Sequence, residues 1–324
     1  MVNIAVIGAG QIGSRHLQAL SSIDREARLQ IVDPSSQSLA TAKERFETVN
    51  HKNNRSIISG VDHFNDIQKL SRKIDVAIIA TTARPRREVI KQLLMHSVVK
   101  NVILEKVVFQ IDKDFDEANK LFEEHQVRVW VNCPFRTWPG YQALREKTGT
   151  NLEIQVHGGQ WGLACNAIHY LDIFNFLTGT FPTQVFTERL DGGYIPSKRP
   201  GFVELSGTLH GGSSAGYITL TSTKDGDIPV SLQMASGRFK CTIREDLGKI
   251  WIADSETRWV VREEVFPTPR QSQLTQLVVQ NILDGKNPML PDYKTSWKLH
   301  TPLLNAIHKH MNESAPELKE WQIT

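Results

Sequence analysis

The stretch Ile4-Ala5-Val6-Ile7-Gly8-Ala9-Gly10-Gln11-Ile12-Gly13 decides how the first part of this chain folds. Its four leading apolar residues, with no polar alternation, read as a strand buried on both faces. The strand runs into Gly-x-Gly-x-x-Gly, and helical spacing takes over from Ile12 to Leu20. Gly8 permits a tight turn, Gly10 lets the backbone approach a pyrophosphate, and Gly13 allows the helix to pack close to the strand. The helix N-terminus offers unpaired N–H groups and its positive dipole end to phosphates. A second strand, Leu29–Val32, ends at Asp33, 20 residues past Gly13. A carboxylate there accepts hydrogen bonds from ribose hydroxyls and repels a 2′-phosphate. Pro34, Ser35 and Ser36 follow, with no arginine to reverse the preference. The pattern predicts a dinucleotide site that prefers NAD to NADP.

Further strand-like runs stand at Val76–Ile79, Val102–Leu104 and Val127–Val131, with helical periodicity over Ser38–Phe46, Glu88–Leu94 and Phe115–Glu124. Regular alternation of this kind implies a parallel sheet covered by helices. The polar segment His51–Arg55 reads as a loop before a strand at Ser56–Ile58. Beyond Val131 the rhythm breaks at Pro134, Trp138, Pro139 and Gly140. A strong helix follows at Cys165–Leu177, closed by Thr178-Gly179. From Gln184 to Val261 strand-like segments follow one another across glycine turns, the signature of a largely antiparallel sheet. Helices close the chain around Gln271–Leu283 and Ser296–Met311. The fold class is therefore α/β: a Rossmann dinucleotide-binding domain over residues 1–130, then an α+β domain over 131–324 with a large, mostly antiparallel open sheet. The C-terminal helix is free to pack back near the first domain.

The 324 residues suit about two domains. Lys and Arg number 38 against 35 Asp and Glu, a net charge of +3 that excludes a dedicated nucleic-acid or membrane-surface binder. The apolar run at Val2–Ile7 lacks a basic flank and stops at Gly8, too short for a secretion signal. No later run approaches the ~20 apolar residues of a membrane span. Cys133, Cys165 and Cys241 are odd in number and widely spaced, which predicts no disulfide framework, no metal site and a reducing cytoplasm.

The glycine motif, the pair Glu105-Lys106 ending the fifth alternating strand, and His169-x-x-Asp172 on a helix of a β-rich second domain together resemble the glucose-fructose oxidoreductase / inositol dehydrogenase / MocA family over essentially the whole chain. The resemblance implies that Lys106 and His169 flank the nicotinamide and the reacting carbinol, and that Gln11, Ile12, Thr81 and Glu105 join Gly8, Gly10, Gly13 and Asp33 around the cofactor. It also implies a substrate site with Arg136, Trp161, Asn166 and Asp172, and a homodimer or homotetramer formed through the open sheet. The chemistry agrees: oxidising an alcohol requires hydride transfer and removal of the hydroxyl proton. Lys106 sits at a strand's C-terminal end, where open α/β sheets place ligands. Because Cys165, His169 and Asp172 are spaced four and three apart, they share a helix face, with Asn166 at its border.

Two departures from the family pattern stand out. Val107 replaces the proline that usually follows the lysine, so no cis peptide is implied. Cys165 occupies the place of an aspartate four residues before the histidine, which weakens an inositol-dehydrogenase-like relay. Arg84, Arg86 and Arg87 read as a solvated helix start, with an anion site as the second reading. The leading function is NAD(P)-dependent oxidation or reduction of a sugar or sugar derivative, such as a nucleotide sugar or surface-glycan precursor. The alternatives are a non-catalytic dinucleotide-binding regulator and an NAD-assisted glycosidase on the same scaffold.

Overall fold

The computed structural model describes residues 1–50, 58–318 and 321–323. The loop expected at His51–Arg55, and Ser56 and Ile57 of the next expected strand, lie outside the described residues. Two compact units emerge: Met1–Pro134 with Pro269–Tyr293, and Phe135–Thr268 with Lys294–Thr324.

The first unit alternates strand and helix: β1 (Val2–Ile7), α1 (Gln11–Leu20), β2 (Ala27–Val32), α2 (Ser36–Asn50), β3 (Ile58–Phe64), β4 (Lys73–Ile79), α3 (Ala83–His96), β5 (Val98–Leu104), α4 (Asp112–Glu124) and β6 (Arg128–Val131). All six strands are parallel, in the order β3-β2-β1-β4-β5-β6. The last four residues of β1, β4 and β5 are each fully buried, as strands covered on both faces require. The order reverses between β1 and β4, and a doubly wound sheet binds its ligand at the carboxyl ends of such a pair.

The second unit contains α5 (Pro139–Lys147), β7 (Leu152–Gly159) and α6 (Leu163–Thr178), followed by β8 (Gln184–Leu190), the short pair β9 (Ile195–Pro196) and β10 (Val203–Glu204), β11 (Gly207–Ser213), β12 (Gly216–Thr223), β13 (Ser231–Ala235), β14 (Phe239–Arg244), β15 (Lys249–Asp254) and β16 (Arg262–Val265). Eight of these strands form one sheet, ordered β16-β15-β14-β13-β7-β12-β11-β8. Every pair is antiparallel except β7 with β12. Strand β7, central to the sheet, was not anticipated, although Leu152, Ile154 and Val156 alternate with Glu153, Gln155 and His157 and bury only the apolar set. Helix α6 is buried nearly all round, consistent with apolar residues on every face.

Two helices end the chain, α7 (Gln271–Leu283) and α8 (Tyr293–Ser314). The division therefore differs from a simple cut at 130/131. Val278, Val279 and Ile282 of α7 join the core that includes Leu17 and Leu20 of α1, which draws this segment into the first unit, while nearly all of α8 stays in the second. Val131 N donates to Pro291 O at 3.0 Å, so the returning segment also covers the edge strand β6. No helix among the described residues is long and apolar enough to cross a membrane.

Candidate active site

In the first unit, the turn after β1 is shaped by contacts to the turn after β4. Gly8 has φ +97°, and a Cβ there would meet Ala80 C and Thr81 N at 3.0 Å. A Cβ on Gly13 would overlap the Gly8 carbonyl, which accounts for the close helix–strand packing. At Gly10 a Cβ would meet nothing within 4 Å, so the backbone faces open space. Gly10 is also the N-cap of α1 and has no side chain to satisfy the first N–H groups of the helix. Thr81 Oγ1 is buried without a hydrogen-bond partner among the described residues. Ile12, at the same helix start, is 43% exposed despite being apolar. An open backbone cradle, uncapped N–H groups and an unused hydroxyl are what a pyrophosphate requires, so these residues fit NAD.

Asp33 directly follows β2 with both carboxylate oxygens engaged: Oδ2 accepts from Ala9 N at 2.7 Å and Oδ1 from Ser35 N at 2.8 Å. The carboxylate therefore also holds the glycine turn, and each oxygen keeps a lone pair for a ribose hydroxyl. Sequence reading missed Arg45 on α2, which donates to Gln11 Oε1 at 2.8 Å and to Ser14 Oγ. This places a cation against the start of α1, and only the fold brings positions 11 and 45 together.

Glu105 turns inward. Its Oε1 lies 2.8 Å from His16 Nε2 and accepts from Asn132 Nδ2. His16 Nδ1 is 2.9 Å from Thr275 Oγ1, and Asn132 also donates to Gln271 Oε1 at 2.8 Å. Burial would raise the Glu105 pKa, but His16, Asn132 and the neighbouring Lys106 charge outweigh it and hold the carboxyl below its ordinary value. The network ties β5, α1, β6 and α7 together immediately beneath Lys106.

Two expectations about this region are corrected. The Lys106–Val107 peptide bond is cis although no proline follows. The backbone on both sides is held by Arg86, whose Nη1 donates to the carbonyls of Glu105 (2.7 Å), Val107 (2.5 Å) and Val108 (2.6 Å), while Nη2 donates to that of Thr81. Arg86 itself is 1% exposed and so not solvated, and four carbonyls engage its Nη1 and Nη2 while Nε stays buried without a partner among the described residues. Burial lowers its pKa to about 10. Arg87 pairs with Asp114 and Glu117.

In the second unit, α6 begins at Gly162 (φ +80°), where a Cβ would meet Asn166 Nδ2 and Cys165 Sγ at 3.0 Å. Glu204 caps the helix by accepting from Ala164 N at 2.8 Å. This entry places Trp161, Asn166 and His169 on the wall of a pocket of about 520 Å³. The His169 ring stacks on Phe135 with centroids 4.8 Å apart, and Trp161 Nε1 donates to Thr221 O at 2.8 Å. Phe135, Tyr170, Pro229, Val230, Glu245 and Asp246 complete the lining. Arg136 and Asp172 face each other instead: Nε donates to Oδ2 at 2.6 Å and Nη2 lies 2.6 Å from Oδ1. Asp172 is fully buried, and burial raises its carboxyl to about 6 against the opposing pull of Arg136. Sequence reading also missed Glu245, which accepts from the Tyr141 hydroxyl at 2.5 Å and is raised by burial to about 7. A lone Glu in a polar turn carries no sequence signal.

Residues 2–133 match the family described as an oxidoreductase family with an NAD-binding Rossmann fold. These residues are similar to the NAD-binding Rossmann domain of the Gfo/Idh/MocA oxidoreductases. No curated protein matches the chain. Among solved structures, an oxidoreductase domain protein from Kribbella flavida is similar, with TM-score 0.73, 15% identity and coverage of 100% of this chain and 99% of that one. A UDP-N-acetylglucosamine 3-dehydrogenase from Acidithiobacillus ferrooxidans gives TM-score 0.72 at 14% identity, covering 94% and 96%. A super-repressor mutant of Gal80p from Saccharomyces cerevisiae gives 0.70 at 14%, covering 97% and 96%. At these identities the likeness is one of fold. The matched residues include the glycine turn and Asp33 that form the NAD cradle.

Proposed function

We propose that this protein is an NAD-dependent oxidoreductase that interconverts a carbinol and a ketone on a sugar or sugar derivative. The observation that carries the reading is the second-unit pocket, which sets His169 among an amide, a carboxyl and aromatic faces in a volume suited to a small hydroxylated molecule. The similar UDP-N-acetylglucosamine 3-dehydrogenase supports a sugar-type substrate. When bound, nicotinamide supplies the hydride acceptor or donor. Lys106 Nζ polarises the substrate oxygen and an imidazole nitrogen of His169 holds the hydroxyl proton; this division of labour rests on the family resemblance. Glu105 acts by fixing the strand end that presents Lys106. Arg136 and Asp172 position α6 rather than touch substrate. The exposed face of the eight-stranded sheet, which includes Tyr217 at 69% exposure, is the proposed oligomer face, and the three unbridged cysteines suit a cytoplasmic protein. Incubating the protein with NAD and a panel of sugars, and following nicotinamide reduction, tests the activity. Turnover with a sugar is the expected result, whereas tight NAD binding without turnover on any of them favours the regulatory alternative.

A further inference from the structure

The pocket of the second unit has an uneven charge lining. Among the described residues neither Lys nor Arg lines it, while Glu245 and Asp246 both do. The two carboxylates differ in availability. Asp246 is already satisfied by Arg244, which donates from Nε at 2.9 Å and from Nη2 at 2.7 Å. Glu245 is held differently. Tyr141, whose ring is fully buried, fixes Oε1 through its hydroxyl, and Thr268 Oγ1 donates to the Glu245 carbonyl at 3.3 Å. Oε2 has no hydrogen-bond partner among the described residues. A carboxyl oriented by a buried phenol, with its second oxygen unspent on a pocket wall, is built to receive a donor from a ligand.

We infer that Glu245 Oε2 is a specificity-determining acceptor, which takes a hydrogen bond from a hydroxyl of a neutral, polyhydroxylated ring and makes the pocket discriminate against the corresponding sugar acid. The inference rests on the reading of this pocket as the sugar site and adds the class of sugar. A hydroxyl presented to Oε2 gains a hydrogen bond to a partly charged acceptor in a site shielded by Phe135, Tyr170 and Val230. A ligand carboxylate offers no donor when ionised and meets like charge at short range if it takes the place of the hydroxyl at Glu245. Arg84, Arg86 and Arg87 are not among the residues that line this pocket.

The test is titration calorimetry of the full-length protein, with NAD present, using glucose and galactose each against its matching uronate. The readout is the ratio of uronate to neutral-sugar dissociation constants, in the wild type and in Glu245→Gln and Glu245→Ala. A purely structural role for Glu245 would not move this ratio. The expected result is tighter wild-type binding of a neutral sugar, with the ratio falling about tenfold in both variants, since each removes the repelling charge and Glu245→Ala removes the acceptor as well. Circular dichroism identifies a variant that fails to fold, in which case the other supplies the ratio and the wild-type preference stands by itself. A wild-type preference for a uronate, or a ratio unchanged in a folded variant, overturns the inference while leaving the sugar reading intact. Binding of no sugar or uronate overturns both.

Discussion

Replacing Asp33 probes the link between the glycine turn and cofactor choice. In the structure its carboxylate holds Ala9 N and Ser35 N at 2.7 and 2.8 Å, leaving one lone pair per oxygen for the adenosine ribose. Asp33→Ala removes the ribose acceptor and releases the turn. A hydrogen bond to a charged group is worth about 1.5–3 kcal/mol, so NAD affinity should fall about ten- to one-hundred-fold. NADP should lose less, because the charge that repels its 2′-phosphate disappears in the same step. The ratio of NADP to NAD dissociation constants should therefore drop by about tenfold or more. Asp33→Asn retains the size and one acceptor, and separates charge from shape. Titration calorimetry with both dinucleotides measures all of this. Tighter wild-type binding of NADP, or an unchanged ratio in Asp33→Ala, would refute the reasoning.

Four further outcomes are expected. Lys106→Met and His169→Ala should each lower turnover by about two to four orders of magnitude in steady-state kinetics, the double variant should be scarcely worse than the worse single one, and Cys165→Ser should cost far less. Arg136→Ala leaves the buried Asp172 carboxyl without its cation and should cost about 3–5 kcal/mol in urea unfolding, most of it recovered when Asp172 is replaced by Leu as well. Ile282→Ala in α7 should cost about 2–5 kcal/mol by opening a cavity in the first unit's core. Glu245 has a folded pKa of about 7, above the ordinary carboxyl value of 4.5, so the folded state binds the extra proton in that window and the group's stability contribution is lost as pH rises through it. Glu245→Gln should consequently gain stability relative to wild type between about pH 4.5 and 7, read from denaturation midpoints; a constant difference across the window would contradict the assignment.

Much of the fold is legible in local pattern because the first unit obeys period rules throughout: uninterrupted apolar strands, a glycine fingerprint and an acidic residue at fixed spacing. Helix α7 is readable to the residue, yet its allegiance is not, since Val278 and Ile282 would suit either unit's core and only tertiary packing chooses. Strand β7 shows that a legible signal can be missed when a stronger helix signal follows closely. The site divides along the same line. Gly8, Gly10, Gly13 and Asp33 announce themselves because their roles depend on near neighbours in sequence. Glu245, Tyr141 and Arg45 do not, because each acquires its role from a partner far along the chain. Arg86 shows the converse: three arginines at a helix start look like a solvated surface, and the burial of one of them follows only from where the carbonyls after β5 turn.

The activity proposed for this chain is hydride transfer on a hydroxylated carbon, with NAD held by the first unit. The most direct measurement is the absorbance of reduced nicotinamide when the protein and NAD are mixed with neutral sugars, run beside His169→Ala at matched NAD occupancy. NADH formation with at least one sugar is expected in the wild type, with a rate lower by about two to four orders of magnitude in the variant. Equal rates in the two proteins, or NAD saturation with no reduction by any sugar, would contradict it.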